Sequence, residues 1–239
     1  MNILNQRYDK VVCINLKERP LKKAYMETMF AKYDIQAEFY HPVILGYADK
    51  FINIYTERYN KPEQNYILFN KQYPNEFGTM HSHYHVIKTA LLEGVKNLFV
   101  FEDDCAFHKD WDNLLPKYLN TIPKNANGIL LYSFMDRLLS ENIRVAPRWT
   151  KGYMSWSLIA YGMDETAMKG FIDFMDKVPE IADKATWNMM SHYGYNFYIA
   201  SPPLVLPSKN FTSDIRGENK NYEKNKSIFT LGINEKDYE

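Results

Sequence analysis

Four large apolar residues, Leu98-Phe99-Val100-Phe101, run directly into three acids, Glu102-Asp103-Asp104. A run that is apolar at every position has no solvent face, so it reads as a strand covered on both sides, as in a parallel sheet. The acids fix where that strand must stop. Three neighbouring carboxylates repel one another and are costly to bury, so they belong at a strand end that opens onto a cleft or onto water.

The rest of the chain alternates in the same way. Val11 to Leu16 reads as a buried strand, and Arg19-Pro20 opens a helix with Pro at an early position, where its missing N–H costs nothing. Leu21, Tyr25, Met29 and Phe30 supply the apolar stripe of that helix. Residues 37–44 read as a second strand, and 46–76 as an irregular insertion rich in Tyr and Asn. Gly78 precedes a helix that runs to Glu93 and ends at Gly94. A short helix is expected over 111–119, strands over 128–133, 155–161 and 196–200, and helices after Asp164 and Asp183, each read as an N-cap. Strands alternating with helices imply an α/β fold with a mostly parallel central sheet. In such sheets ligands bind beyond the carboxyl ends of the strands. The acidic triplet falls at one such end, and Asn15-Leu16-Lys17-Glu18-Arg19 at another.

Composition narrows the function classes. The 239 residues suit one large domain or two tight ones, and 46% hydrophobic residues exclude global disorder. Lys plus Arg total 29 and Asp plus Glu total 29, so net charge is zero. That argues against a dedicated nucleic-acid binder, though Arg216, Lys220, Lys224 and Lys226 form a local basic patch. Aromatics reach 15%, with 19 Tyr and 14 Phe. Such a surplus often lines grooves for sugars or bases, but the coding bias of an AT-rich genome is the favoured reading. Cys13 and Cys105 sit in apolar runs without metal or redox spacing, which reads as two buried free thiols in a reducing compartment. The N-terminus lacks an apolar h-region, and no run is long enough to span a bilayer. A cytoplasmic protein is the expectation.

The triplet carries the sharpest chemical reading. A divalent cation would relieve the repulsion, and hard oxygen ligands suit Mn²⁺ or Mg²⁺, ions that also take substrate phosphates. A solvated strand-to-helix turn is the plainer alternative. Arg19 at a helix N-terminus would complement a diphosphate. The cluster His81-Ser82-His83-Tyr84-His85 puts His81 and His85 on one helix face with no third zinc ligand in view. Packing of one face, with one histidine reaching a pocket, is the favoured reading.

Five short segments in order resemble glycosyltransferase family 25, the family of lipo-oligosaccharide galactosyltransferases and collagen galactosyltransferase domains. They are Ile14-Asn15-Leu16-Lys17-Glu18-Arg19-Pro20, Gly78-Thr79-Met80-His81-Ser82-His83, Val100-Phe101-Glu102-Asp103-Asp104, Ala160-Tyr161-Gly162-Met163, and Pro202-Pro203-Leu204-Val205 with Ser213-Asp214-Ile215. Lys22 stands where Arg is usual in the family.

The resemblance implies a GT-A-like nucleotide-sugar-binding sandwich over residues 1–206, with 207–239 as a tail packing on or near the active site. It implies metal-dependent, inverting transfer of a hexose from a nucleotide sugar, a UDP-sugar, to a hydroxyl of a saccharide acceptor of glycan or lipo-oligosaccharide type. Asp104 would ligate the metal, and Glu102 would ligate it or meet the ribose or a metal-bound water. Asn15, Leu16, Arg19, Gly78, Ser82, His83 and Asp103 would lie by the nucleotide sugar. Inversion needs a carboxylate base, for which Asp183 is the first choice, with Asp214 and then Asp164 in reserve. Asp214 or His192 are further metal candidates, and Trp156, Trp187 and Tyr195 are candidate sugar-stacking residues. Two rivals stand beside this reading: a transferase acting on modified bases of viral or phage DNA, and a non-catalytic nucleotide-sugar-binding module.

Overall fold

The computed structural model describes residues 2–42, 74–133, 144–152, 157–177, 182–211 and 233–239. Among the described residues ten strands and six α-helices follow one another as α1 (Ile3–Arg7), β1 (Lys10–Ile14), α2 (Pro20–Lys32), β2 (Glu38–Tyr40), α3 (Pro74–Leu92), β3 (Asn97–Glu102), β4 (Cys105–Phe107), α4 (Trp111–Leu119), β5 (Gly128–Leu130), β6 (Arg144–Ala146), β7 (Trp149–Lys151), β8 (Ala160–Asp164), α5 (Glu165–Lys177), α6 (Ala182–His192), β9 (Phe197–Ala200) and β10 (Val205–Pro207). Among the described residues no helix is long and apolar enough to cross a membrane.

The central sheet has eight strands in the order β2-β1-β3-β8-β5-β9-β7-β6. β1 pairs in parallel with β2 and β3, and β5 with β9. β8 runs antiparallel to both β3 and β5, and β7 runs antiparallel to β9 and β6. All strands but β7 and β8 therefore point one way. This is the mixed α/β architecture with a mostly parallel sheet that the alternating pattern implies. A small second sheet pairs β4 with β10.

Two apolar cores cover the sheet's faces, and the strand period of two sorts residues between them. Val11, Cys13, Phe99 and Phe101 join Met26, Met29, Phe30 and Trp111 from α2 and α4. Val12, Ile14, Leu98 and Val100 join Met80, Ile87, Phe171 and Met189 from α3, α5 and α6. Cys13 and Cys105 are both buried and free of disulfides.

Several local expectations change. Leu21 is 77% exposed, while Lys22 is 5% exposed and turns inward with Met26, Met29 and Phe30. Helix α3 starts at Pro74, so Gly78 lies within it, while Gly94 ends it at φ +80. β2 spans only Glu38–Tyr40, and β8 begins at Ala160, well after Ser155. Helix α1 and strands β4, β6, β7 and β10 are too short to leave a periodic signal. The insertion read over 46–76 lies outside the described residues up to 73.

Candidate functional site

The parallel register of β1, β2 and β3 brings three carboxyl ends together. Ile14 lies opposite both Tyr40 and Glu102. Asn15, His41 and Asp103 therefore follow at one edge of the sheet. The turn holding the triplet is tied down on several sides. The Glu102 N–H donates to the Ile159 carbonyl (2.7 Å), and the Ser208 N–H donates to the Asp104 carbonyl (2.6 Å). The Tyr25 hydroxyl donates to the Cys105 carbonyl (2.9 Å).

Asn15 is the hub of this edge and is buried. Its Nδ2 donates to Asp103 Oδ2 at 2.8 Å and to the Arg19 carbonyl at 3.3 Å. Both partners are acceptors, so the amide orientation is fixed. The Asn15 carbonyl lies 2.9 Å from His41 Nδ1. Arg19 is exposed at the head of α2, and Leu16 is half-buried in the turn between them.

Lys22 supplies the local positive charge. Its Nζ lies 3.3 Å from Asp103 Oδ1 and 3.4 Å from Asp104 Oδ2, with 6% of the side chain exposed. Burial pushes the Asp103 carboxyl up, and Lys22 and Asn15 pull it back. Burial, and then the Glu102 charge, push Asp104 up to about 7 despite Lys22. The third acid has a different partner: Glu102 Oε1 accepts from His83 Nε2 at 3.1 Å, and His83 Nδ1 lies 2.9 Å from the Tyr161 hydroxyl.

The donor set suits a hard divalent cation. Among the described residues three carboxyl groups face one ammonium, and a divalent ion would offset both the burial and the Glu102 charge that push the Asp104 carboxyl up. Among the described residues no three His, Cys, Asp or Glu side chains converge as a ready-made cage. An ion here would therefore share its coordination with phosphate oxygens and water, as Mg²⁺ and Mn²⁺ commonly do.

Asp183 comes to the same edge. It sits inside the first turn of α6, and its Oδ2 accepts from the Ser157 N–H at 2.8 Å. Its side chain thus holds a neighbouring loop, a different role from the helix cap expected of it. Ser157 lies two residues before Ile159, which takes the Glu102 N–H, so one loop holds the Asp183 carboxylate and the backbone of Glu102.

The remaining candidates divide by position. Asp164 caps α5, its Oδ1 accepting the Ala167 N–H at 2.7 Å. Its register partner is Asn97, at the far end of β3 from Glu102, so the last reserve base is at the wrong edge of the sheet. His83 is fully buried with both ring nitrogens engaged, and Ser82 Oγ donates to the Gly78 carbonyl within α3. His83 thus packs beneath Glu102, while the Ser82 hydroxyl is taken up within its own helix. Tyr195 packs over Gly170 of α5, and His192 is exposed at the end of α6. His81 and His85 face each other, Nε2 to Nε2 at 3.2 Å. Asp214, Trp156 and the basic cluster Arg216, Lys220, Lys224 and Lys226 lie outside the described residues, as does the side chain of Trp187.

Lys22, His41 and Tyr161 join the site without being among its sequence candidates. For Lys22 a signal was present: it lies four residues before Met26 and seven before Met29, on the buried face of α2.

The sequence model of glycosyltransferase family 25 (LPS biosynthesis protein) matches residues 8–186, which include β1, the acidic triplet and the start of α6. The chain belongs to glycosyltransferase family 25. A Drosophila melanogaster glycosyltransferase 25 family member is 24% identical over 163 residues, covering 63% of this chain and 25% of that protein. The chain thus spans about a quarter of that relative's length. Among solved structures, the crystal structure of a glycosyltransferase involved in glycosylation of the major capsid of PBCV-1 aligns with a TM-score of 0.47 at 7% identity, over 92% of this chain and 97% of that one. The structure of A197 from STIV aligns with a TM-score of 0.38 at 8% identity, over 87% and 98%.

Proposed function

We propose that this family 25 chain moves a hexose from a nucleotide sugar, a UDP-sugar, to a hydroxyl of a glycan or lipo-oligosaccharide-type acceptor, with inversion at the anomeric carbon. The observation that carries the reading is the acidic triplet at the carboxyl edge of β3, braced by Asn15, Lys22 and His83, with three carboxyl groups facing one ammonium among the described residues. That edge is where open α/β sheets bind ligands. A GT-A-like donor site fits this placement.

In this reading Arg19 and the N–H groups at the head of α2 receive the donor's diphosphate. Asp104 and Glu102 would hold Mn²⁺ or Mg²⁺, which would neutralise charge on the leaving diphosphate. Asp183 takes the acceptor proton as the acceptor oxygen attacks the anomeric carbon and the bond to the diphosphate oxygen breaks. The Ser157 N–H keeps the Asp183 carboxylate aimed while it waits. A cytoplasmic setting goes with the two free buried thiols.

The test is UDP-galactose and UDP-glucose binding and hydrolysis with and without Mn²⁺. Ligand binding to the native state raises the melting temperature, and Asp104→Ala should remove both the Mn²⁺-dependent shift and turnover. Full turnover in Asp104→Ala would refute the metal assignment. Absence of any nucleotide-sugar binding would favour a non-catalytic role.

A further inference from the structure

Tyr161 lies in β8, fully buried between β3 and β5. Its hydroxyl is 2.9 Å from Nδ1 of His83, and Nε2 of His83 is 3.1 Å from Oε1 of Glu102. The imidazole is buried, with 1% of the side chain exposed. Among the described residues the Tyr161 hydroxyl has no hydrogen-bond partner other than His83.

Donor and acceptor counting leaves one consistent arrangement. A carboxylate only accepts, so Nε2 of His83 carries the proton it donates to Glu102. In a neutral ring Nδ1 is then an acceptor, and the Tyr161 O–H is the donor that fills it. Burial, together with the charges of Glu102 and Asp183, pushes the Tyr161 hydroxyl well up, so it keeps its proton. A doubly protonated ring would turn an N–H toward the phenol oxygen and leave the buried Tyr161 O–H without an acceptor among the described residues.

We propose that Tyr161 is a positioning residue for the acidic motif: acting through His83, it fixes the ring as the Nε2–H tautomer and so holds Oε1 of Glu102 in one direction. The other oxygen of this partly exposed carboxylate is left for the donor side of the cleft. What Glu102 is held for rests on the glycosyltransferase reading above. The tautomer and its dependence on Tyr161 do not.

The experiment has two readouts. In protein labelled with ¹⁵N-histidine, without metal or donor, long-range ¹H–¹⁵N spectra should show His83 protonated at Nε2 with Nδ1 unprotonated. Tyr161→Phe keeps the ring but removes the donor, so the Nδ1 resonance should move toward that of an unbonded acceptor. With UDP-galactose and Mn²⁺, kcat for donor hydrolysis should fall about 3- to 10-fold in Tyr161→Phe, the scale of one lost hydrogen bond. His83→Ala should lose more, and His83→Gln, whose amide nitrogen approximates the Nε2 position, should recover most of that loss. A wild-type ring protonated at Nδ1, or an unmoved Nδ1 resonance in Tyr161→Phe, would overturn the proposal. Full kcat in both Tyr161→Phe and His83→Ala would do the same. If Tyr161→Phe does not fold, the wild-type tautomer and the His83→Gln and His83→Ala pair decide. If no nucleotide sugar is turned over at all, the proposed function fails and the spectra still test the tautomer.

Discussion

Asn15 Nδ2 reaches Asp103 Oδ2 at 2.8 Å across the carboxyl ends of two parallel strands, joining the first motif of the chain to the acidic triplet 88 residues later. Both groups are buried. Asn15→Ala removes the donor and leaves Asp103 with less support for its charge. A loss of about 1–3 kcal/mol is expected, the cost of stranding a buried polar group. Urea unfolding measures it. Unchanged stability would mean that Asp103 finds another donor.

Lys22 is the cation of the interior, between Asp103 and Asp104. Lys22→Met preserves length and apolar stem but leaves those carboxyls without their ammonium. Breaking a buried pair from one side costs about 3–5 kcal/mol, and the exposed part of Asp104 places the expectation at the lower end. Lys22→Arg, the residue usual in the family, should restore most of the lost melting temperature. If Lys22→Met melts with wild type, the ammonium is solvated and the bridge is unimportant.

How much of this was readable beforehand follows from which forces leave periodic traces. The buried strands β1 and β3, the cap at Asp164 and the stop at Gly94 follow from local pattern and backbone chemistry, and the structure has each of them. An apolar stripe that starts at Leu21 leaves Lys22 off the buried face of α2, where the structure has it. Its partners lie more than 80 residues away, and only the fold brings them near. His83 was expected by the nucleotide because its neighbours resemble a motif. That the ring sits beneath Glu102 depends on β8 running antiparallel beside β3, which puts Tyr161 opposite Val100, and no local signal encodes that direction. Local pattern reads Asp183 as a helix cap, yet its Oδ2 accepts from the N–H of Ser157, in a loop 26 residues earlier.

His81 and His85 make stability sensitive to acid. Burial, followed by repulsion from His85, lowers His81 to about 4, and burial followed by the Lys88 charge lowers His85. Unfolding frees both to the usual value near 6.5, so between pH 6.5 and 4 the unfolded chain binds more protons. Their contribution is therefore present above that window and lost as pH falls through it. His81→Gln should flatten the decline by about 2 kcal/mol between pH 7 and 4.5, measured by urea unfolding at each pH. Parallel declines in variant and wild type would assign the acid sensitivity to other groups.

Gly162 of β8 tests the packing of the sheet on α1. A Cβ there would fall inside contact distance of the Tyr8 ring, which is itself buried edge-on against Phe99. Neither the strand backbone nor that ring has room to yield. Gly162→Ala should cost about 1–3 kcal/mol, as overpacking does, read as a lower melting temperature. A neutral substitution would show that Tyr8 can swing out of the core.

Asp183 separates structure from chemistry. Its Oδ2 accepts the Ser157 N–H at 2.8 Å, and Ser157 holds φ at +81, a conformation that costs a non-glycine residue energy and persists only where its surroundings enforce it. Asp183→Asn retains an oxygen for that N–H, so folding and UDP binding should change little. An amide cannot take a proton, so transfer should fall by about 100-fold or more if this carboxylate is the base. Asp183→Ala removes the acceptor as well and should also lower the melting temperature. Ser157→Gly, which adopts positive φ freely, should keep both stability and turnover. Transfer that survives in Asp183→Asn would dismiss Asp183 as the base and leave it the single task of holding the Ser157 loop.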